Sequence, residues 1–177
     1  MKQGLSPTEI PVVREDYAKL MANITLSHEA ITYPTVPAHE ILTHYATVEL
    51  VDWLKIEGDC RIDDDGSFRV YISDPLCEYS YEWPYAHELG HIVLGHCSHS
   101  LRKVSKQQEA VYSREADIFA AEFLMPAAWV ADQYAQYEIR NFRDLRHYVQ
   151  GYGVSWYVMK RRLMDLWLCK QDYWEWL

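Results

Sequence analysis

The sequence predicts an α+β fold: a mainly helical domain with a small antiparallel sheet and a C-terminal helical segment. Three observations support this prediction. Apolar residues recur at helical spacing along most of the chain. Residues 60–73 instead alternate apolar and polar side chains around Asp65-Gly66, which is typical of a β-hairpin. Helix-capping residues stand before several of the helical stretches.

The length and composition of the chain indicate one domain. Its 177 residues are 49% hydrophobic and 24% charged, which is enough to bury a continuous core. We predict a single domain over residues 1–177. It consists of an N-terminal helical appendage at 1–36, a core that carries the candidate site at 37–126, and a C-terminal helical segment at 127–177.

The first half of the chain predicts two helices, a strand and the hairpin. Residues 8–27 form the first helix, and its apolar face consists of Ile10, Val13, Tyr17, Leu20, Met21 and Ile24. A short helix follows Pro37, because Ile41 and Tyr45 recur on one side. A strand is predicted at residues 48–54, ahead of the hairpin at 60–73.

The second half is predicted to be helical. Proline has no backbone N–H, but in the first turn of a helix that N–H would have no intrahelical partner. A helix is therefore predicted from Pro84 to about His96. Ser105 and Gln108 have capping-box spacing, so a second helix runs from Ser105 to Met125. Its apolar stripe consists of Ala116, Phe119, Ala120 and Phe123. Further helices are predicted from residue 126, at 142–148 and at 155–168, the last with a solvated basic cluster at 160–162.

The composition excludes several classes of function. A net charge of −9 argues against direct nucleic-acid binding, which needs an excess of lysine and arginine. No apolar stretch is long enough to span a membrane, and the first residues lack the apolar core of a signal peptide, so we expect a soluble cytoplasmic protein. The four cysteines form no Cys-x-x-Cys pair, which indicates reduced, mostly buried thiols.

The run His87-Glu88-Leu89-Gly90-His91 carries the strongest chemical signal. Residues four apart on a helix differ by about 40° in direction, so both imidazoles emerge from one face and can bind one ion. Glu88 is offset by about 100°, which places its carboxylate beside the ion as a general base. Zinc lowers the pKa of its water to about 7 and polarises a scissile carbonyl. The pattern therefore predicts a zinc-peptidase site; an ordinary surface helix is the alternative.

His96 has a different interpretation. In a helix that continues to this residue it lies nearly opposite His87, which indicates a buried, hydrogen-bonded histidine in place of a ligand.

Two motifs together resemble the ImmA/IrrE metallopeptidases. The first runs from His87 to His96, and the second is Glu115-Ala116-Asp117-Ile118-Phe119-Ala120-Ala121-Glu122-Phe123-Leu124-Met125-Pro126. The resemblance covers roughly residues 40–168 and implies a zincin-like domain of the gluzincin type with a zinc ion as cofactor. It also implies that the protein cuts a helix-turn-helix repressor and so switches on genes of mobile elements or stress responses.

The third zinc ligand departs from the family pattern. The resemblance implies a glutamate four residues before Asp117, where this chain has Ser113. We expect Glu115 as the third ligand, although an unbroken helix turns it about 200° from Ser113. Glu109 leans away from the site. The resemblance implies that Asp117 orients a zinc-bound histidine. A site with two histidines and waters remains open.

Two functions follow from these observations. The first is a zinc-dependent endopeptidase in which His87 and His91 bind zinc and Glu88 activates water, with a helix-turn-helix repressor as the substrate. The second is a metal-stabilised regulatory protein that binds its partner without cutting it, and Ser113 supports this alternative.

Overall fold

The computed structural model describes residues 11–74, 82–99, 104–136 and 151–168, and it confirms the α+β class. The predicted helix at 142–148 lies outside these residues. Along the described chain the elements are α1 (Glu15–His28), α2 (Ala38–Leu42), β1 (Ala46–Val51), β2 (Gly58–Ile62), β3 (Phe68–Ser73), α3 (Trp83–Val93), β4 (Ser98–His99), α4 (Lys106–Leu124), α5 (Ala127–Gln136) and α6 (Trp156–Asp165).

The sheet has the strand order β1-β3-β2-β4. β2 and β3 pair antiparallel around a turn in which Gly66 has a φ of 87°, so the predicted hairpin is confirmed. β1 pairs parallel with β3, and β4 pairs parallel with β2. The sheet is therefore mixed, which corrects the expectation of an antiparallel sheet. A hairpin turn determines only the pairing of its own two strands, whereas β1 and β4 are placed by contacts distant in sequence.

α3 and α4 approach each other closely at Gly90. A Cβ atom at Gly90 would lie 3.0 Å from the ring of Phe119 and 3.3 Å from the Cα atom of Ala116. The predicted stripe of α4 is confirmed, because Ala116, Phe119, Ala120 and Phe123 are all fully buried. Glycine at this crossing lets the two backbones pack closely, and this packing holds α3 against α4.

α1 buries a different face from the predicted one. It begins at Glu15, and its buried residues are Ala18, Ala22, Thr25 and Leu26. Tyr17, Leu20 and Ile24 are 41%, 56% and 49% exposed. The prediction was wrong for these three residues, whereas Val13 and Met21 do pack against the core. α1 packs against α4, where small alanine side chains allow a close approach.

The predicted Ser105 cap is confirmed, and Ser155 forms a second serine cap. The Ser105 hydroxyl accepts a hydrogen bond from the Gln108 amide, and the Ser155 hydroxyl accepts one from the Val158 amide. α3 ends at Val93, earlier than predicted, because Gly95 adopts a φ of 73°. A glycine in this left-handed conformation commonly stops a helix.

Two further expectations are corrected. Cys60 on β2 and Cys97 after α3 form a disulfide, where reduced thiols were expected. Arg162 is only 5% exposed, although its cluster was expected to be solvated. Its guanidinium pairs with Glu122 and donates to the Met125 carbonyl at 2.9 Å, and these partners compensate the buried charge. Within the described ranges, every helix is too short or too polar to cross a bilayer.

Candidate metal centre

α3 directs the side chains of His87 and His91 towards each other. Their Nε2 atoms lie 3.1 Å apart, and their ring centroids lie 4.9 Å apart. Two zinc–nitrogen bonds of about 2.0–2.1 Å at a tetrahedral angle place the two nitrogens roughly 3.3 Å apart. The pair therefore fits one ion of the zinc class without rearrangement of the helix.

Asp117 of α4 contacts the first of these histidines. Its Oδ1 atom lies 3.0 Å from Nδ1 of His87. A carboxylate in this position accepts the Nδ1 proton and leaves the Nε2 lone pair free to bind a metal. The structure thus brings Asp117 to the atom that an orienting residue would hold.

Glu88 lies against the backbone of β2. It is 4% exposed, and a Cβ atom at Gly58 would come within 2.4 Å of its Oε1 atom. Burial raises the pKa of the Glu88 carboxyl to about 7, although the charge of His87 opposes this shift. Sequence reasoning missed Gly58. The signal was available, because a glycine at the start of a strand often marks a close approach of another group.

The two histidines of α3 differ in their titration. Burial and the charge of His87 lower the pKa of His91 to about 3. Burial also opposes a charge on His87, but the hydrogen bond to Asp117 and the charge of Glu88 raise its pKa. These opposite shifts favour His87 over His91 as the donor of the hydrogen bond between the two Nε2 atoms.

These residues share one cavity of about 600 Å³. Its walls include Glu109 and Ser113 from α4, in addition to the two histidines and Glu88. Across the part of the chain that the structure describes, no three histidine, cysteine, aspartate or glutamate residues converge on one metal position. The geometry therefore provides two converging donors.

Glu115 lies away from the histidine pair. Its carboxylate is 1% exposed, accepts a 2.6 Å hydrogen bond from a terminal nitrogen of Arg14, and contacts Nε2 of His96 at 2.9 Å. Burial would raise its pKa, but the hydrogen bonds from Arg14 and His96 lower it to about 2. This placement departs from the expectation that Glu115 is the third ligand, because an unbroken α4 turns the side chain away from the cavity wall.

His96, unlike Glu115, lines the same cavity as the pair. Its ring centroid is 5.3 Å from that of His91 and 4.2 Å from that of Tyr112, on which it stacks. The expected position opposite His87 was wrong because it assumed a continuous helix. The turn at Gly95 brings the His96 amide back to the His91 carbonyl at 2.8 Å. Burial lowers the pKa of His96, although the hydrogen bond to Glu115 opposes the shift.

Comparison with known proteins identifies the family of this chain. No curated protein matches the chain in sequence. The family model described as the IrrE N-terminal-like domain, Peptidase M78, matches residues 38–164, a span that includes α3, α4 and the sheet. Because this match covers most of the chain, the protein belongs to the IrrE N-terminal-like family of metallopeptidases.

Proposed function

We propose that the protein is a zinc-dependent endopeptidase that cuts a peptide bond in a protein substrate. The observation that carries this proposal is the buried Glu88 carboxylate beside two imidazoles whose Nε2 atoms converge at 3.1 Å. The family match supports peptide hydrolysis as the reaction. A cavity of about 600 Å³ leaves room for the peptide at this position.

Each side chain of the site has a separate role in hydrolysis. When bound, the ion lowers the pKa of a water molecule to about 7 and polarises the scissile carbonyl. Glu88 accepts a proton from the attacking water and then donates it to the departing amine. Asp117 keeps the Nδ1 proton of His87 in place, which directs the Nε2 lone pair to the ion. Gly58 leaves space for the Glu88 carboxylate to sit beside the reacting water.

We propose a helix-turn-helix repressor as the substrate. The net charge of −9 makes the chain a poor DNA-binding protein and suits a partner with a basic DNA-binding surface. Such a substrate would place the reaction in the cytoplasm, where thiols are kept reduced. Thiol titration of Cys60 and Cys97 in freshly lysed cells tests this location. Free thiols agree with it, and an intact disulfide argues for an oxidising compartment.

The substitution Glu88→Gln tests catalysis. It removes the proton acceptor and preserves the shape of the side chain, so the rate of repressor cleavage should fall about 1,000-fold while zinc binding persists. Fragments are quantified by gel and mass spectrometry after incubation with the repressor encoded beside the gene. Glu40→Gln, an exposed change on α2, is the matched control. Equal cleavage by Glu88→Gln and wild type would exclude Glu88 as the base.

A metal-stabilised binding protein is the second candidate function. Ser113 on the cavity wall and the two converging donors favour it, because a weakly held ion would support little catalysis. The same incubation distinguishes the two candidates. A stable complex without fragments, unaffected by Glu88→Gln, supports binding, and fragments that disappear in Glu88→Gln support the peptidase.

A further inference from the structure

One buried atom beside the candidate metal centre has no hydrogen-bond partner among the residues that the structure describes. Nδ1 of His96 is fully buried and makes no hydrogen bond within the described part of the chain. The side chain as a whole is 1% exposed. A buried ring nitrogen without a partner carries a desolvation cost, so its presence in a folded protein calls for an explanation such as a catalytic role or a bound ion.

The other ring nitrogen identifies the chemical state of this atom. Nε2 of His96 lies 2.9 Å from Glu115, whose carboxylate also accepts hydrogen bonds from the Arg14 backbone amide and guanidinium. An ionised carboxylate only accepts hydrogen bonds, whereas a guanidinium only donates them. A terminal nitrogen of Arg14 also lies 3.2 Å from Nε2, but it already donates to the Glu115 carboxylate at 2.6 Å. The shorter contact of Nε2 with Glu115 therefore assigns the proton to Nε2. In a neutral imidazole, Nδ1 then holds a lone pair, which is the form that binds a metal.

The surroundings place the His96 ring beside the candidate metal centre. His96 lines the cavity that contains His87 and His91, and its ring stands 5.3 Å from His91, compared with 4.9 Å between the rings of the pair. A metal-bound histidine characteristically donates its second N–H to a carboxylate. His87 has this arrangement with Asp117, and His96 has it with Glu115.

We propose that His96 is the third metal ligand of this centre, through Nδ1, and that Glu115 and Arg14 position its ring. The inference rests on the metal site of the proposed function. It gives Glu115 an indirect role, in which the carboxylate acts on the ion through His96. Stacking on Tyr112 fixes the ring plane. Because no three donors converge within the described part of the chain, the His96 ring would have to shift towards His91 to hold the ion.

The substitution His96→Gln separates ligation from folding. The glutamine amide occupies the place of Nε2 and can still donate to Glu115, but it has no nitrogen at the place of Nδ1. We expect a folded protein whose zinc dissociation constant, measured by competition with a chelator, rises at least about 100-fold, beyond the upper range for outer-sphere partners. His28→Gln, an exposed histidine at the end of α1, is the matched control and should leave zinc affinity unchanged.

A spectroscopic measurement tests the same ligand without a substitution. Long-range nitrogen NMR of the zinc-loaded wild type should show His96 bound through Nδ1, and His87 and His91 bound through Nε2. The inference is overturned if His96→Gln folds and binds zinc as tightly as wild type, or if Nδ1 of His96 shows no bound metal. Neither measurement uses cleavage. If the wild type is inactive but His96→Gln weakens zinc binding, the proposed peptidase function is refuted and the assignment of His96 as a ligand stands.

Discussion

Two histidine–carboxylate pairs connect α3 and its following turn to α4, and they differ in their surroundings. In the outer pair, His87 and Asp117, the side chains are 19% and 40% exposed. In the inner pair, His96 and Glu115, both side chains are 1% exposed, and Arg14 closes the carboxylate from outside. The same hydrogen bond therefore occurs once beside solvent and once in the core.

The difference in exposure gives the two histidine–carboxylate pairs different roles. Solvent can replace a lost hydrogen bond at the outer pair, so its contribution to stability is small and its main effect is on the direction of the His87 lone pair. Removal of one partner from the inner pair leaves a charge or a polar atom buried. The inner pair should therefore affect both folding and metal binding, whereas the outer pair should affect metal binding alone.

The largest expected effect is on stability at the inner pair. Glu115→Gln removes the buried charge that Arg14 and His96 contact, and it should lower the free energy of unfolding of the metal-free protein by about 2 kcal/mol. Urea denaturation measures this change. Glu109→Gln, an exposed carboxylate on the same helix, is the control and should stay within about 0.5 kcal/mol of wild type. Equal stability of Glu115→Gln and wild type would contradict the distinction between the pairs.

Acid should remove the same contribution in the wild type. The pKa of Glu115 is lowered to about 2, so the unfolded chain binds its proton first as pH falls. Stability from this group is therefore present above pH about 4.5 and disappears between pH 4.5 and 2, with a loss of about 2 kcal/mol after allowance for the half-exposed Arg14. Urea titrations at several pH values measure it. In Glu115→Gln this pH-dependent component should be absent, and its persistence would assign it to another group.

At the outer pair the main effect should be on the ion. Asp117→Asn weakens the hold on the Nδ1 proton of His87, and zinc affinity should fall about tenfold. The free energy of unfolding of the metal-free protein should change by less than about 1 kcal/mol, because the carboxylate is partly solvated. Chelator competition and urea denaturation measure the two quantities. A large loss of stability with unchanged zinc affinity would reverse the roles of the two pairs.

The smallest effect is expected beside both pairs, at Gly58. A methyl group in Gly58→Ala would lie 2.4 Å from Oε1 and 2.7 Å from Cγ of Glu88, so the buried Glu88 side chain would have to shift. Peptide cleavage should fall about fivefold, since misplacement of a catalytic group reduces its contribution. Zinc affinity serves as the internal control and should not change. A loss of stability without a matching fall in the cleavage rate would show that the backbone of β2, and not Glu88, had moved.

Local signals predicted much of the fold. The hairpin at Asp65-Gly66, the Ser105 cap and the apolar stripe of α4 each depend on residues close together in sequence, and the structure has all three. The buried face of α1 was not predicted, because the sequence cannot indicate that Ala18 and Ala22 meet a partner helix. The expected antiparallel sheet was wrong for the same reason, since β1 and β4 pair in parallel through contacts distant in sequence.

Sequence alone determined the residues whose arrangement depends on one helix. The spacing of His87, Glu88 and His91 is sufficient to place two imidazoles and a carboxylate together, because helix geometry is independent of the rest of the fold. The tertiary structure decided the positions of Glu115 and His96. The left-handed turn at Gly95 brings His96 to the cavity, and the packing of α1 on α4 brings Arg14 to Glu115. Both depend on contacts between distant segments, which helical periodicity does not specify.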